Sequence, residues 1–74
     1  MVPAVLTVAT LATLLETSPR TIHRLDSSGK IPKPIRLGGH PRWRRDEIEA
    51  WIQAGMPSRQ VWETMRPLNT EGRI

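Results

Sequence analysis

The sequence predicts a mainly α domain with one small β-hairpin, and three observations predict it. Two short amphipathic helical segments are separated by only about three residues, Glu16 to Ser18. Two period-two segments, Ile35-Arg36-Leu37 and Arg42-Trp43-Arg44, flank the turn cluster Gly38-Gly39-His40-Pro41. A third apolar helical face follows, opened by Asp46-Glu47 and stopped by Gly55 and Pro57.

Thr7 is a good N-cap for the first helix. Val8, Leu11, Ala12 and Leu15 then fall at i, i+3, i+4 and i+7, one apolar face, with Thr10 and Thr13 off it. The helix is expected to stop near Glu16, because Ser18-Pro19 is a second start. Ser18 caps, and Pro19 suits the first helical position, where its missing N–H costs nothing. The second helix runs to about Ser27, with Gly29 as the left-handed residue that ends it. Ile22 and Leu25 point inward, and Arg20, Thr21, His23 and Arg24 stay largely outside. Two helices joined so tightly make a helix-turn-helix pattern, although a plain αα-hairpin would read the same way.

Lys30-Ile31-Pro32-Lys33-Pro34 cannot be helical and is read as extended chain. The hairpin that follows is expected to place Ile35, Leu37 and Trp43 on the core side and Arg36, Arg42 and Arg44 on the other. A hairpin with an arginine face is a wing, although basic residues also serve simply to blunt a strand edge. In the third helix Ile48, Trp51 and Ile52 are the buried face, and Trp43 and Trp51 are read as core. Ser58 caps a last short helix ending before Pro67, with Val61, Trp62 and Met65 on one side, and residues 68–74 are expected to fray. The fold class is therefore a winged helix-turn-helix. Residues 1–57 form that domain, and residues 58–74 form a short C-terminal helix and tail.

The 74 residues are expected to form one small domain. The absence of cysteine excludes disulfides and cysteine-ligated zinc, and two histidines are too few for an all-histidine metal cage. Without Tyr or Phe, RNA-binding sheets built on those rings are excluded. No apolar run approaches the roughly 20 residues a membrane span needs. The uncharged first fifteen residues lack the basic start of a signal peptide, so a cytoplasmic protein is expected. The net charge of +4 is unevenly placed. Residues 19–45 hold eight basic side chains (Arg20, Arg24, Lys30, Lys33, Arg36, Arg42, Arg44, Arg45) against one acid, Asp26. The rest of the chain holds three basic residues and six acids. A polyanion is the partner such a field selects, ahead of a merely solvated surface.

The strings Leu6-Thr7-Val8, Ala12 to Leu15, Ser18-Pro19-Arg20-Thr21-Ile22, Gly29-Lys30-Ile31-Pro32, Ile35-Arg36-Leu37-Gly38-Gly39, Arg42-Trp43-Arg44-Arg45 and Glu49-Ala50-Trp51-Ile52 together resemble the AlpA-like and phage excisionase family. The likeness covers about residues 6–55 and is greatest to excisionases of actinobacterial temperate phages. Thr10 departs from it, standing where an acidic capping partner is common. The resemblance implies a MerR-like winged fold with the second helix in the major groove. It also implies either of two roles. One is an excisionase, bound cooperatively to attachment-site double-stranded DNA beside a tyrosine or serine integrase and bending that DNA. The other is a small transcription regulator.

Residue chemistry fits that placement. Arg20 and Arg24 share a face, and either could pair with a guanine. Thr21 suits a thymine methyl or a phosphate, and Ser18 with the free N–H groups of the helix end suits a phosphate. His23 is a phosphate contact or simply solvated. On the wing, Arg36, Arg42 and Arg44 would follow adjacent phosphates, Gly38 and Gly39 would allow close approach, and His40 could enter the minor groove. Val61, Trp62 and Met65 form a stripe that must dock, either on its own winged domain or, as self-association along DNA, on the next protomer. No catalytic constellation or cofactor motif is present, so neither catalysis nor a cofactor is expected. A protein-interaction module with an acidic partner is the rival of another class.

Overall fold

The computed structural model describes residues 3–65. Along them run β1 (Val5–Leu6), α1 (Val8–Leu14), α2 (Pro19–Ser27), β2 (Ile35–Leu37), β3 (His40–Arg44), α3 (Arg45–Gln53) and α4 (Arg59–Met65). The sheet is antiparallel in the order β1-β3-β2. This is the winged helix-turn-helix that the sequence predicts, with one strand more.

Helices α1, α2 and α4 start at a side-chain cap, whereas Arg44 ahead of α3 makes no capping side-chain bond. The Thr7 hydroxyl accepts the Thr10 N–H at 3.0 Å, and the Thr10 hydroxyl accepts the Thr7 N–H at 2.7 Å. Thr10 thus closes the reciprocal box that an acid would otherwise close. Ser18 accepts the Thr21 N–H at 3.2 Å, with Pro19 in the first turn of α2. Ser58 accepts the Val61 N–H at 3.4 Å and opens α4. Helices α1, α2 and α3 all end with the same pair of reversed bonds. Thr17 N–H reaches Ala12 O, Lys30 N–H reaches Leu25 O and Met56 N–H reaches Trp51 O. The left-handed residue in that motif is Gly29 after α2 and Gly55 after α3, but Glu16 after α1, at φ 56°.

The expected core side of the hairpin is corrected by its turn. Gly38 and Gly39 both have positive φ, 59° and 85°, as a two-residue type I′ turn requires. The register is Leu37 opposite His40, Arg36 opposite Pro41 and Ile35 opposite Arg42. Opposed residues share a face, so Trp43 lies with Pro41 and Arg36, while Ile35 and Leu37 lie with His40, Arg42 and Arg44. Ile35 and Trp43 could share a face only across an odd-length loop, and the glycine pair makes it even. Ile35 and Leu37 are accordingly 49% and 61% exposed, whereas Trp43 is buried. Strand β1 joins the other edge of β3, with Leu6 opposite Trp43 and Val5 opposite Arg44. The Arg45 N–H extends this edge to Ala4 O at 2.9 Å.

One core results, built from Leu6, Leu11, Ala12, Ile22, Ile31, Trp43, Ile48, Trp51 and Trp62, with Val8, Leu15, Leu25 and Ile52 packed against it. The proline-rich linker belongs to it: Ile31 and Pro32 are buried, and the Trp43 indole N–H donates to Pro32 O at 2.8 Å. Helix α4 belongs to it as well. Trp62 is 3% exposed and donates its indole N–H to Glu47 Oε2 at 2.9 Å, so it is not available to a neighbouring molecule. Val61 and Met65, expected on the same side, stay about half exposed. The segment expected to fray, residues 68–74, lies outside the described residues.

Candidate nucleic-acid interface

Because Ser18 and Pro19 fix where α2 begins, they also fix which residues it turns outward. Arg20, His23, Arg24 and Ser27, at i, i+3, i+4 and i+7, are all exposed, while Ile22 on the opposite side is fully buried. The solvent face of α2 is thus a basic stripe. Ser18 and Thr21 flank its start and are occupied with each other. Beyond the cap bond, the Ser18 hydroxyl donates to Thr21 Oγ1 at 3.1 Å. Thr21 is half-buried.

Pairing separates the basic residues into two groups. Arg44 meets Asp46 at 2.7 Å, Arg45 meets Glu49 at 3.5 Å, and Arg59 meets Asp26 at 2.7 Å. Arg42 turns its guanidinium back onto Pro41 O at 2.8 Å. Among the described residues, the side chains of Arg20, Arg24, Lys30, Lys33 and Arg36 make no hydrogen bond or ion pair with the protein. Unpaired positive charge therefore runs along α2, the linker and β2. The Arg44–Asp46 pair is open to water, with side chains 61% and 69% exposed, so it is weak and easily exchanged for another anion.

The wing presents its groups differently from the arginine face expected of it. Arg42 and Arg44 share the outer face with His40, Ile35 and Leu37. Arg36 projects from the inner face yet stays exposed. Gly39 and His40 are exposed at the tip. The positive φ, rather than any close neighbour, explains the glycine, since a Cβ at Gly39 would meet nothing within 4 Å. Lys30 and Lys33 join the exposed cations without having been singled out by residue type. Their signal is the charge excess of residues 19–45, but the burial of Ile31 and Pro32 is what turns them outward. Among the described residues no group of histidine and acidic side chains could hold a metal ion, and no helix is long and apolar enough to cross a membrane.

A family model described as a helix-turn-helix domain matches residues 5–56. The chain belongs to the helix-turn-helix domain family. The matched span begins at β1 and ends just beyond α3, so the helix pair, the wing and the third helix all lie within the helix-turn-helix domain and α4 lies beyond it. This family of small DNA-binding domains includes AlpA- and excisionase-like proteins, and membership indicates binding to double-stranded DNA. Neither a curated protein nor a solved structure matches the chain.

Proposed function

We propose that this helix-turn-helix protein is an excisionase, an accessory factor that binds attachment-site DNA and turns a tyrosine or serine integrase toward excision, within the bacterial cytoplasm. The observation that carries the reading is the unpaired basic stripe on α2, set in a domain of a family that includes excisionase-like proteins. In this reading α2 enters the major groove. Arg20 and Arg24 reach base edges, where a bidentate pair with guanine is the commonest specific contact. Thr21 meets a thymine methyl or a phosphate. Ser18, His23 and the N–H groups at the start of α2 take phosphates. Lys30, Lys33 and Arg36 continue the phosphate track, Arg42 and Arg44 join it by exchanging their present partners, and Gly39 and His40 bring the wing tip to the minor groove.

Several copies bind side by side and bend the DNA. Two separate apolar patches support a head-to-tail contact, which does not close on itself. One is Val61 and Met65 on α4, and the other is Val5, Ile35 and Leu37 on the outer sheet face. The test is footprinting and an excision assay on attachment-site DNA with the integrase of the same genetic element. Excision stimulated by the protein and lost in Arg20→Ala is the expected result. Specific binding to a promoter, with no effect on recombination, would replace this reading by that of a transcription regulator.

A further inference from the structure

We infer that Arg59 is a positioning residue for DNA binding: it neutralises the one acid on the recognition helix, so that α4 serves DNA binding without touching DNA, while its grip on the exit of that helix serves stability. The inference rests on the reading of α2 as the helix in the groove.

Asp26 is the single acid in residues 19–45. It lies in α2, three residues from His23 and two from Arg24, on the flank of the basic stripe and half-buried. A bare carboxylate there would oppose the approach of phosphates to the same helix. Arg59 comes from α4, beyond the span that the family model matches. Its Nη2 donates to Asp26 Oδ1 at 2.7 Å and to Asp26 O at 3.2 Å, and its Nε donates to Ile31 O at 3.0 Å. Its backbone N–H donates to Gly29 O at 3.0 Å. One residue thus grips three points where α2 ends and the linker to the wing begins. A cation at a helix C-terminus also suits the helix dipole.

The pair differs in kind from the surface pairs on this molecule. The Arg59 and Asp26 side chains are 27% and 22% exposed, against 61% and 69% for Arg44 and Asp46. A guanidinium fork can serve several acceptors at once, whereas a lysine could supply the charge but not the full set of bonds. Charge and grip can therefore be separated by mutation.

The experiment measures affinity for one cognate DNA duplex across a salt series, well below the melting temperature of each variant. Arg59→Gln is expected to lower affinity about fivefold at low salt, the effect of one unit charge at contact distance in water. The deficit should shrink as salt rises. Adding Asp26→Asn to Arg59→Gln removes the exposed charge and is expected to restore affinity to within about twofold, although the grip stays broken. Arg59→Lys keeps the charge and should hold affinity within about threefold while its melting temperature falls. Asp26→Asn alone leaves Arg59 unopposed and should bind as tightly as the parent or more so, which keeps the test decisive where Arg59→Gln fails to fold. An unrescued double variant, a deficit independent of salt, or weakened binding by Asp26→Asn alone would overturn the inference. Arg20→Ala in the same series reports on the α2 reading separately: if it leaves binding unchanged, that reading fails whatever Arg59 does.

Discussion

Glu16 occupies a backbone position that Gly29 and Gly55 occupy after the next two helices, and it carries a Cβ there at φ 56°. A left-handed conformation costs an L-residue roughly 1–2 kcal/mol, partly offset by the larger entropy a glycine loses on folding. Glu16→Gly is therefore expected to stabilise the protein by about 0.5–1 kcal/mol, read as a rise of several degrees in thermal melting. Individual arginines should separate by role in the same way. Arg20→Ala or Arg24→Ala is expected to cost about 1–3 kcal/mol of DNA affinity and to relax preference at one base position. Arg36→Ala should weaken all sequences alike, because a phosphate contact carries no base information. Competition with single-base variants of the site distinguishes the two patterns, and a preference altered mainly by Arg36→Ala would reverse the assignment of reader and clamp.

The wing shows where local patterning is silent. Its strands, its turn and its buried tryptophan are legible from period-two alternation and the glycine pair, but the face each strand turns inward depends on loop parity. Trp43→Ala should then cost about 3–5 kcal/mol, while Leu37→Thr stays within about 0.5 kcal/mol of the parent in a denaturant titration. Comparable losses at both positions would restore the expected arrangement, with Leu37 inside. Helices α1, α2 and α3 were readable almost to the residue because caps and apolar spacing are local signals, and the stripe on α2 was readable with them. Strand β1 was not, since two residues carry no period and Leu6 is defined by its partner Trp43, far along the chain. The docking of α4 was not legible either. Val61, Trp62 and Met65 look alike in sequence, and only the place of Trp62 beside Glu47 and the Arg59 grip decide which of them is buried. Trp62→Ala is expected to cost about 3–5 kcal/mol. Cutting the chain after Pro57 should lower the melting temperature further, since it also removes the Arg59 bonds.

Charge acts through the assembled molecule. Pairing leaves five cations, Arg20, Arg24, Lys30, Lys33 and Arg36, without protein partners among the described residues. If those five neutralise phosphates, the logarithm of the DNA affinity should fall against the logarithm of salt with a slope of about −4.5. A slope near −6 would mean that Arg42 and Arg44 also leave their present partners, and a slope near zero would remove DNA as the partner of this surface. The core has the complementary pattern. The ten residues buried among those described come from β1, the linker, the wing and all four helices, so no element is expected to unfold by itself.

The three indoles have a spectroscopic consequence. With no tyrosine in the chain, near-ultraviolet emission belongs to Trp43, Trp51 and Trp62 alone. All three are buried, and each donates its N–H to a different joint: Pro32 O in the linker, Pro57 O ahead of α4, and Glu47 Oε2 in α3. None lies on the basic stripe of α2. The native protein should therefore emit at short wavelength and shift to the red on unfolding, while titration with DNA leaves the band position unchanged. Single Trp→Phe substitutions would dim one joint at a time, giving optical reports on the wing seam, the α3–α4 corner and the α4 seat without any added label.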